Sequence, residues 1–527
     1  MDIIINIVAF VFSLGIIIAL HELGHFIFAK RANILCHEYA IGMGPVVYQK
    51  KKGETQYSLR AIPIGGFVSM AGEQIEQALI KKEQHVGLNF IDGKVSEIIL
   101  NPTHVKHEQS LFITAYDLYD QADDGLFISG VSNQIEHRFE VLSDASYVFT
   151  EKKKMQIAPY NRSFESKTLW QRFLTIFAGP AMNFILAFFL FFVVAAFQGK
   201  PLERPMINEI VENNPAQIYG IQENDVIKSI GSFEIASWSQ IGGALMHYAG
   251  SKDVPVKVLR DGNELVINVT PRVDINSMGL SNFDGNEIEY APVGARVASV
   301  YGKAVRTDDK PLMMSGDVII SAKIVKTGVS HVILSFSDLI DFANQFEGGK
   351  VTFTVFRDET SLEVTYEIWE PGVLDSQDIP VYQSVLGISP DTGFNLGYTF
   401  TEGFRQIGRS AMQVVKVLGL LFGGSDQIGL NDMSGPVGIF NIVGSYAREG
   451  LIVLLWFIGF LSVNIGIMNL LPIPALDGGR LVFLGIEAVI RRPINKKVEN
   501  TVNNVMFILL LVLFVYITFF DIGRIFA

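Results

Sequence analysis

The sequence predicts a polytopic α-helical membrane protein: four transmembrane helices, a membrane-associated β-hairpin or small sheet, and two α+β domains between the second and third spans. Three observations carry this reading. Hydrophobic residues make up 49% of the 527 and charged residues only 18%, with a mean hydropathy of +0.32, too apolar for an ordinary soluble chain. Four mostly apolar stretches, 3–20, 173–197, 451–471 and 505–525, reach the length of about 18 residues needed to cross a bilayer core. Between the second and third lies a long acidic region, enough to account for the formal net charge of -12, and it offers no basic face for nucleic acid.

The first span, with its polar end, covers 1–29. It reads as a retained helix, because Asp2 stands where a signal peptide carries basic residues and no small-residue cleavage site follows. Lys30, Arg31, Lys50, Lys51 and Lys52 come after it, Arg172 precedes the second span (168–198), and Arg480, Arg491, Arg492, Lys496 and Lys497 lie between the last two. Basic loops stay in the cytoplasm, so both termini and the acidic region are expected outside. Residues 30–73 carry short β-like runs at 46–48, 56–60 and 67–70, punctuated by Gly44-Pro45, Gly53, Pro63 and Gly65-Gly66, and read as a β segment lying against the membrane. The polar stretch 74–167 has strand-like pieces at 111–115 and 126–131 and reads as a folded cytoplasmic insert. Cys36 is the single cysteine, which excludes an intramolecular disulfide and a thiolate zinc cluster.

Residues 203–272 run through Asn214-Pro215-Ala216-Gln217, Gly220-Ile221 and Asn224-Asp225-Val226-Ile227-Lys228-Ser229-Ile230 to two strands hinged on Asp261-Gly262. That order of helix start, turn, apolar strand and hairpin resembles a PDZ domain. A second copy is read at 293–370, where Ser315-Gly316-Asp317-Val318-Ile319-Ile320 repeats the turn and strand before a helix at 336–342 and strands at 350–356 and 361–366. Residues 396–422 keep apolar spacing near 3.6 and read as an amphipathic helix on the outer membrane surface. The third span is placed at 451–480 and the fourth at 503–527.

His21 and His25 stand at i and i+4, so a helix projects both imidazoles from one face a turn apart, as a tetrahedral Zn²⁺ requires; Glu22 can reach a water at the metal. Two histidines and a glutamate continuous with an apolar span are costly in hydrocarbon, which favours a functional reading over a solvated helix face. One ligand remains to be found. The other strongly polar motif at a span is Asn469-Leu470-Leu471-Pro472-Ile473-Pro474-Ala475-Leu476-Asp477-Gly478-Gly479-Arg480, and Asp477 is its natural metal ligand. The prolines break the helix at membrane depth, where irregular backbone is tolerated only in protein or along a hydrated cavity. His104 and His107, at i and i+3 in the insert, have no acidic framework and read as solvated.

Together, HExxH ending the first span, NxxPxPxLDGG on the penultimate one and PDZ-like repeats between them resemble the site-2 protease family of intramembrane zinc metalloproteases. The runs Ala178-Gly179-Pro180-Ala181-Met182-Asn183 and Ser434-Gly435-Pro436-Val437-Gly438 are similar to family signatures, and the 74–167 insert is similar to that of Gram-positive members. The resemblance implies that His21, His25 and Asp477 ligate zinc, that Glu22 is general base and acid, and that Asn464 and Asn469 bind substrate backbone. Side-chain amides suit that last role, because an extended substrate exposes its own amide groups. Asn183, among small residues, reads as a packing position.

The implied activity is cleavage of single-pass membrane proteins, such as anti-sigma factors or signal-peptide remnants, after trimming of their ectodomains. It also implies a bacterial plasma membrane location, an active site towards the cytoplasm, and peptide or ectodomain contacts at the PDZ-like domains. The competing reading is an inactive PDZ-bearing scaffold or receptor with a structural metal. That reading requires a closed sphere of four ligands, and only three protein ligands are in evidence. A transporter is disfavoured because the spans show no inverted repeat.

Overall fold

A computed structural model describes residues 2–72, 79–120, 125–132, 134–151, 153–285, 291–301, 312–423 and 427–526. Small parts of the expected insert (74–78 among them) and of the second PDZ-like copy (302–311) lie outside these residues. The chain divides into two units, Met1–Phe191 with Ser434–Ala527, and Phe192–Met433.

In the first unit four helices are long and apolar enough to cross a membrane: Ile3–Arg31, Leu169–Gln198, Leu451–Leu470 and Lys496–Arg524. The first runs well past residue 20, because Leu23, Phe26, Ile27 and Phe28 extend its apolar character around the polar residues of the HExxH turn. On the last helix Phe507, Ile508, Val512, Val515 and Phe519 are exposed, an outward apolar face that only lipid would cover favourably. Ala9, Ile17, Leu186, Leu190, Val443, Phe457 and Ile458 form a shared core between the first three spans and the Pro436–Glu449 helix.

The expected β segment is a small sheet of two long, bent strands, Cys36–Lys52 and Thr55–Met70. The bends fall at Gly42 and Gly44, with φ of +85° and +81°, and at Gly65, with φ of +77°, values that L side chains rarely adopt. Bending lets residues 36–41 pair on both sides: Tyr39 lies opposite Val68 on one flank and Tyr57 on the other. The stretch 66–70 is therefore an edge, with a ladder partner on one side only among the described residues.

Glu54, in the turn of this sheet, accepts hydrogen bonds from Arg162 Nη1 and Nη2 at 2.7 and 2.8 Å and also pairs with Lys30. The Arg162 hydrogen bonds, with the Lys30 contact, hold its carboxyl down from 4.5 to about 2. A depressed carboxylate stabilises the fold fully above its ordinary value and loses that contribution as pH falls through about 2. Glu54→Gln is expected to cost about 1–2 kcal/mol at pH 7. The gap between thermal melts of the two forms should narrow as pH falls below about 4.5 and close near pH 2; a gap unchanged at pH 3 would contradict this.

The insert forms a six-stranded sheet. Its strands at His85–Ile91, Lys94–Ile99, Gln109–Asp117, Phe127–Ser132 and Ile135–Thr150 close on themselves, through parallel pairing of Lys94–Ile99 with Ile135–Thr150. Val86, Leu88, Ile98, Leu111, Ile113 and Ile128 fill the interior.

In the second unit, strands Val226–Ile230, Val254–Arg260 and Asn263–Val269 make a sheet beside the Ser239–His247 helix. Strand Ile207–Ile210 pairs with Ile388–Pro390, and Leu386 joins the core of this body, so the 203–272 segment is completed by chain that returns much later. A second body follows, with strands Val318–Ile324, Gly349–Arg357 and Thr360–Ile368 and the helix Phe336–Gln345, whose start is capped by Ser335 accepting from the Asp338 amide. The two bodies repeat one buried device. Asp225 accepts Arg260 Nε and Nη2, both at 2.7 Å, while Asp317 accepts the same two atoms of Arg357 at 2.6 and 2.7 Å. Residues Leu396–Gly423 form one helix that buries Glu402 and Ser410 while exposing Phe400, Phe404, Met412 and Val415, the inverse of a water-soluble helix.

Candidate metal centre and catalytic cleft

The first helix presents His21 and His25 one turn apart, and both are buried. Beyond the third span the chain turns through Pro472 and Pro474, with Ala475 in the left-handed region at φ +74°, and Asp477 opens the next helix. Glycine is required twice in this turn. A Cβ on Gly478 would meet the Leu471 carbonyl oxygen at 2.2 Å, and one on Gly479 the Ile473 carbonyl oxygen at 2.3 Å.

Three ligand atoms converge. His21 Nε2 and His25 Nε2 are 3.2 Å apart, and Asp477 Oδ2 lies 3.2 and 3.3 Å from them. Metal bonds of 2.0–2.1 Å at tetrahedral angles separate neighbouring ligand atoms by about 3.3 Å, so this near-equilateral triangle is one face of a zinc tetrahedron. Asp477 Oδ2 is buried with no hydrogen-bond donor aligned on it among the described residues, a costly state for a carboxylate without a cation. The donor set of two imidazoles and one carboxylate suits zinc with one position left open. His25 Nδ1 donates to the Thr175 carbonyl at 2.8 Å, which leaves its Nε2 lone pair for a metal.

A cleft of about 540 Å³ reaches this triangle. It is lined by Glu22, the edge-strand residues Gly66, Phe67, Val68 and Met70, and by Asn469 and Arg480. The edge strand abuts the acid directly: a Cβ on Gly66 would sit 2.9 Å from Glu22 Cγ. The sequence-predicted residues divide accordingly. His21, Glu22, His25, Asp477 and Asn469 meet at the cleft, whereas Asn464 is not among its lining residues and donates to the Phe460 carbonyl of its own helix at 3.1 Å. Asn469 likewise donates to the Ile465 carbonyl at 3.1 Å. His107, in the insert, contacts Ser110 Oγ at 2.7 Å.

Asn183, read from sequence as a packing residue, belongs to the site. It is fully buried, its Nδ2 lies 3.3 Å from His21 Nδ1, and its Oδ1 has no hydrogen-bond partner among the described residues. Turning the amide over puts Oδ1 against the Nδ1–H of His21, which satisfies both groups and frees Nε2 for a metal. Packing is present too. Gly24 approaches the Ala178 carbonyl so closely that a Cβ would lie 2.3 Å from it, the close crossing that its small neighbours announced.

A histidine pair on a helix, a carboxylate as third ligand, room for an open coordination position and an adjacent glutamate define a zinc metallopeptidase, here built on helices apolar enough to cross a membrane. The profile of peptidase family M50 matches residues 9–513. The zinc metalloprotease RasP of Bacillus licheniformis is 33% identical over 526 residues, covering 99% of each chain. The regulator of sigma-W protease RasP of Bacillus subtilis is 32% identical over 528 residues, and the zinc metalloprotease RasP of Oceanobacillus iheyensis 32% over 525, each again covering 99% of both chains. The chain belongs to peptidase family M50, the site-2 proteases. It is a zinc metalloendopeptidase of the membrane.

Proposed function

We propose that this enzyme cuts single-pass membrane proteins inside their spanning segments, with His21, His25 and Asp477 holding the zinc and Glu22 acting as general base and acid. The observation that carries the reading is the ligand triangle at the end of an apolar helix, with Glu22 against a strand edge that lines the cleft. A substrate helix hides its own amides in i to i+4 bonds and must unwind locally to be cut. The edge at 66–70 offers such an unwound segment a backbone ladder, which holds it beside Glu22. Asn469 supplies a side-chain amide to the cleft, and Asn464, earlier on the same helix, is proposed as a further contact.

Zinc supplies polarisation of the scissile carbonyl and acidification of a water at the site. Glu22 takes the proton from that water and returns it to the leaving amine as the C–N bond breaks. Asn183 and the Thr175 carbonyl hold the two imidazoles in register. The basic residues after the first span and between the last two support an active site towards the cytoplasm, with both termini and the segment 198–400 outside.

Anti-sigma factors and signal-peptide remnants are the proposed substrate class; the name of the Bacillus subtilis relative, regulator of sigma-W protease, supports the former. The repeated Asp–Arg device in the outer unit supports two PDZ-like copies, which we read as a gate that excludes large ectodomains and contacts trimmed ends. Because Lys200 pairs with Gly393, residues 202–391 can be replaced by a short flexible linker between neighbouring chain ends. The shortened enzyme is expected to keep cutting a trimmed substrate and to begin accepting its long-ectodomain form. An unchanged preference at matched abundance would rule out the gate.

A further inference from the structure

We propose that Arg480 is a product-binding residue, whose guanidinium receives the carboxylate that hydrolysis creates on the N-terminal fragment. The proposal rests on the peptidase reading of the cleft given above. When water adds across the bond, hydroxyl joins the acyl carbon, the C–N pair leaves with nitrogen, and nitrogen takes a proton. The acyl fragment then ionises to a carboxylate at neutral pH. That new anion appears in a partly apolar cleft beside the Glu22 carboxylate, where poor solvation and like charge both oppose it away from a cation.

Arg480 stands where that charge has to go. It follows Asp477 by three residues on the same helix, so the two side chains emerge from one face. Among the described residues lining the cleft it is the one arginine or lysine. Its guanidinium carbon sits 5.7 Å from the centre of the buried Phe164 ring, and the Arg172 guanidinium carbon lies 5.2 Å from the same ring. Arg172 is committed to Glu487, at 2.7 and 3.0 Å. Phe164 thus steadies Arg480 beside a structural ion pair, a preorganised pose for a planar fork that matches a carboxylate.

Arg480 also lines a second, narrower cavity, with Arg172, Glu487, Lys496 and Glu499. It is therefore the residue common to the cleft and to a layer of paired charges beyond it.

Binding of a labelled product peptide to full-length, zinc-loaded enzyme tests this, because equilibrium binding is read separately from turnover and a fault in the peptidase reading shows only in the latter. An apolar peptide ending in a free carboxylate should bind native enzyme about tenfold or more tightly than its C-terminal amide. In Arg480→Gln, at unchanged zinc content, the acid-to-amide ratio should fall to near one, and Arg480→Lys should restore part of it. A ratio undiminished in Arg480→Gln would place the carboxylate elsewhere, on the metal itself, and overturn the proposal. Should the glutamine variant lose zinc, Arg480→Lys decides alone: a ratio reduced several-fold supports the fork, and the native ratio overturns it.

Discussion

Glu22→Gln is expected to lower peptide cleavage by about 10²- to 10⁴-fold while leaving fold and zinc content as they are. The side chain is one residue from His21 and lines the cleft, yet it is outside the triangle of ligand atoms, so an amide of the same size there disturbs no metal bond. What it removes is proton transfer. Glutamine cannot take a proton from water or return one to the amine, and among the described residues lining the cleft the other carboxylate, Asp477, spends its Oδ2 on the triangle. The check is a single-turnover assay on a tagged single-pass substrate, with zinc measured in the same preparation. Cleavage by the variant at more than a few per cent of the native rate would remove Glu22 from its role. Loss of zinc along with activity would instead make it part of the metal centre.

Much of this centre was legible because its determinants are local. The i, i+4 spacing of His21 and His25 fixes their shared face, and hydropathy marks the helix that carries them. Asp477 could be found because prolines and a carboxylate at membrane depth are rare enough to need a reason. The third span, expected to run to 480, stops at Leu470 because Pro472 and Pro474 break the helix, and the fourth, expected from 503, begins at Lys496 because its polar first turns are helical too. The first ran longer than its apolar window, since HExxH interrupts hydropathy without interrupting the helix.

What was not legible depends on contacts across the sequence. Asn183 is 162 residues from His21, and nothing around it distinguishes an amide aimed at an imidazole from one among packed helices; only the crossing of the two helices brings them together. The Thr175 carbonyl carries no residue-type signal at all, because any residue supplies one. The same holds for the strand Ile388–Pro390. Three residues with a terminal proline give no periodicity, and they become a strand only by pairing with Ile207–Ile210. The insert's closure is equally invisible, since parallel pairing leaves no turn signature between its partners. Asn464 and Asn469 behave alike in this respect: each donates its amide to a carbonyl of its own helix, a contact that residue type does not announce.

Gly179→Ala is expected to empty the metal centre without unfolding the protein. The second span crosses the first at this glycine, and a Cβ added there would lie 2.2 Å from His25 Nε2 and 2.9 Å from His21 Nε2, the very atoms that face the metal. Neither imidazole can retreat cheaply, because His25 is tethered to Thr175 and His21 abuts the fully buried Asn183. The helix itself tolerates the change, since alanine is a better helix former than glycine by about 1 kcal/mol. The methyl therefore competes with the ligand triangle and not with the backbone. Zinc affinity should fall by more than about 100-fold, beyond what losing a supporting contact around a metal ligand usually costs. Gly15→Ala is the control: it lies on the first span with nothing within 4 Å of the added Cβ, so zinc and activity should be retained. Zinc content of the two purified variants by elemental analysis, with helicity by circular dichroism, makes the comparison. Full zinc occupancy in Gly179→Ala, at native affinity, would show that the imidazoles and the second span are not packed as described.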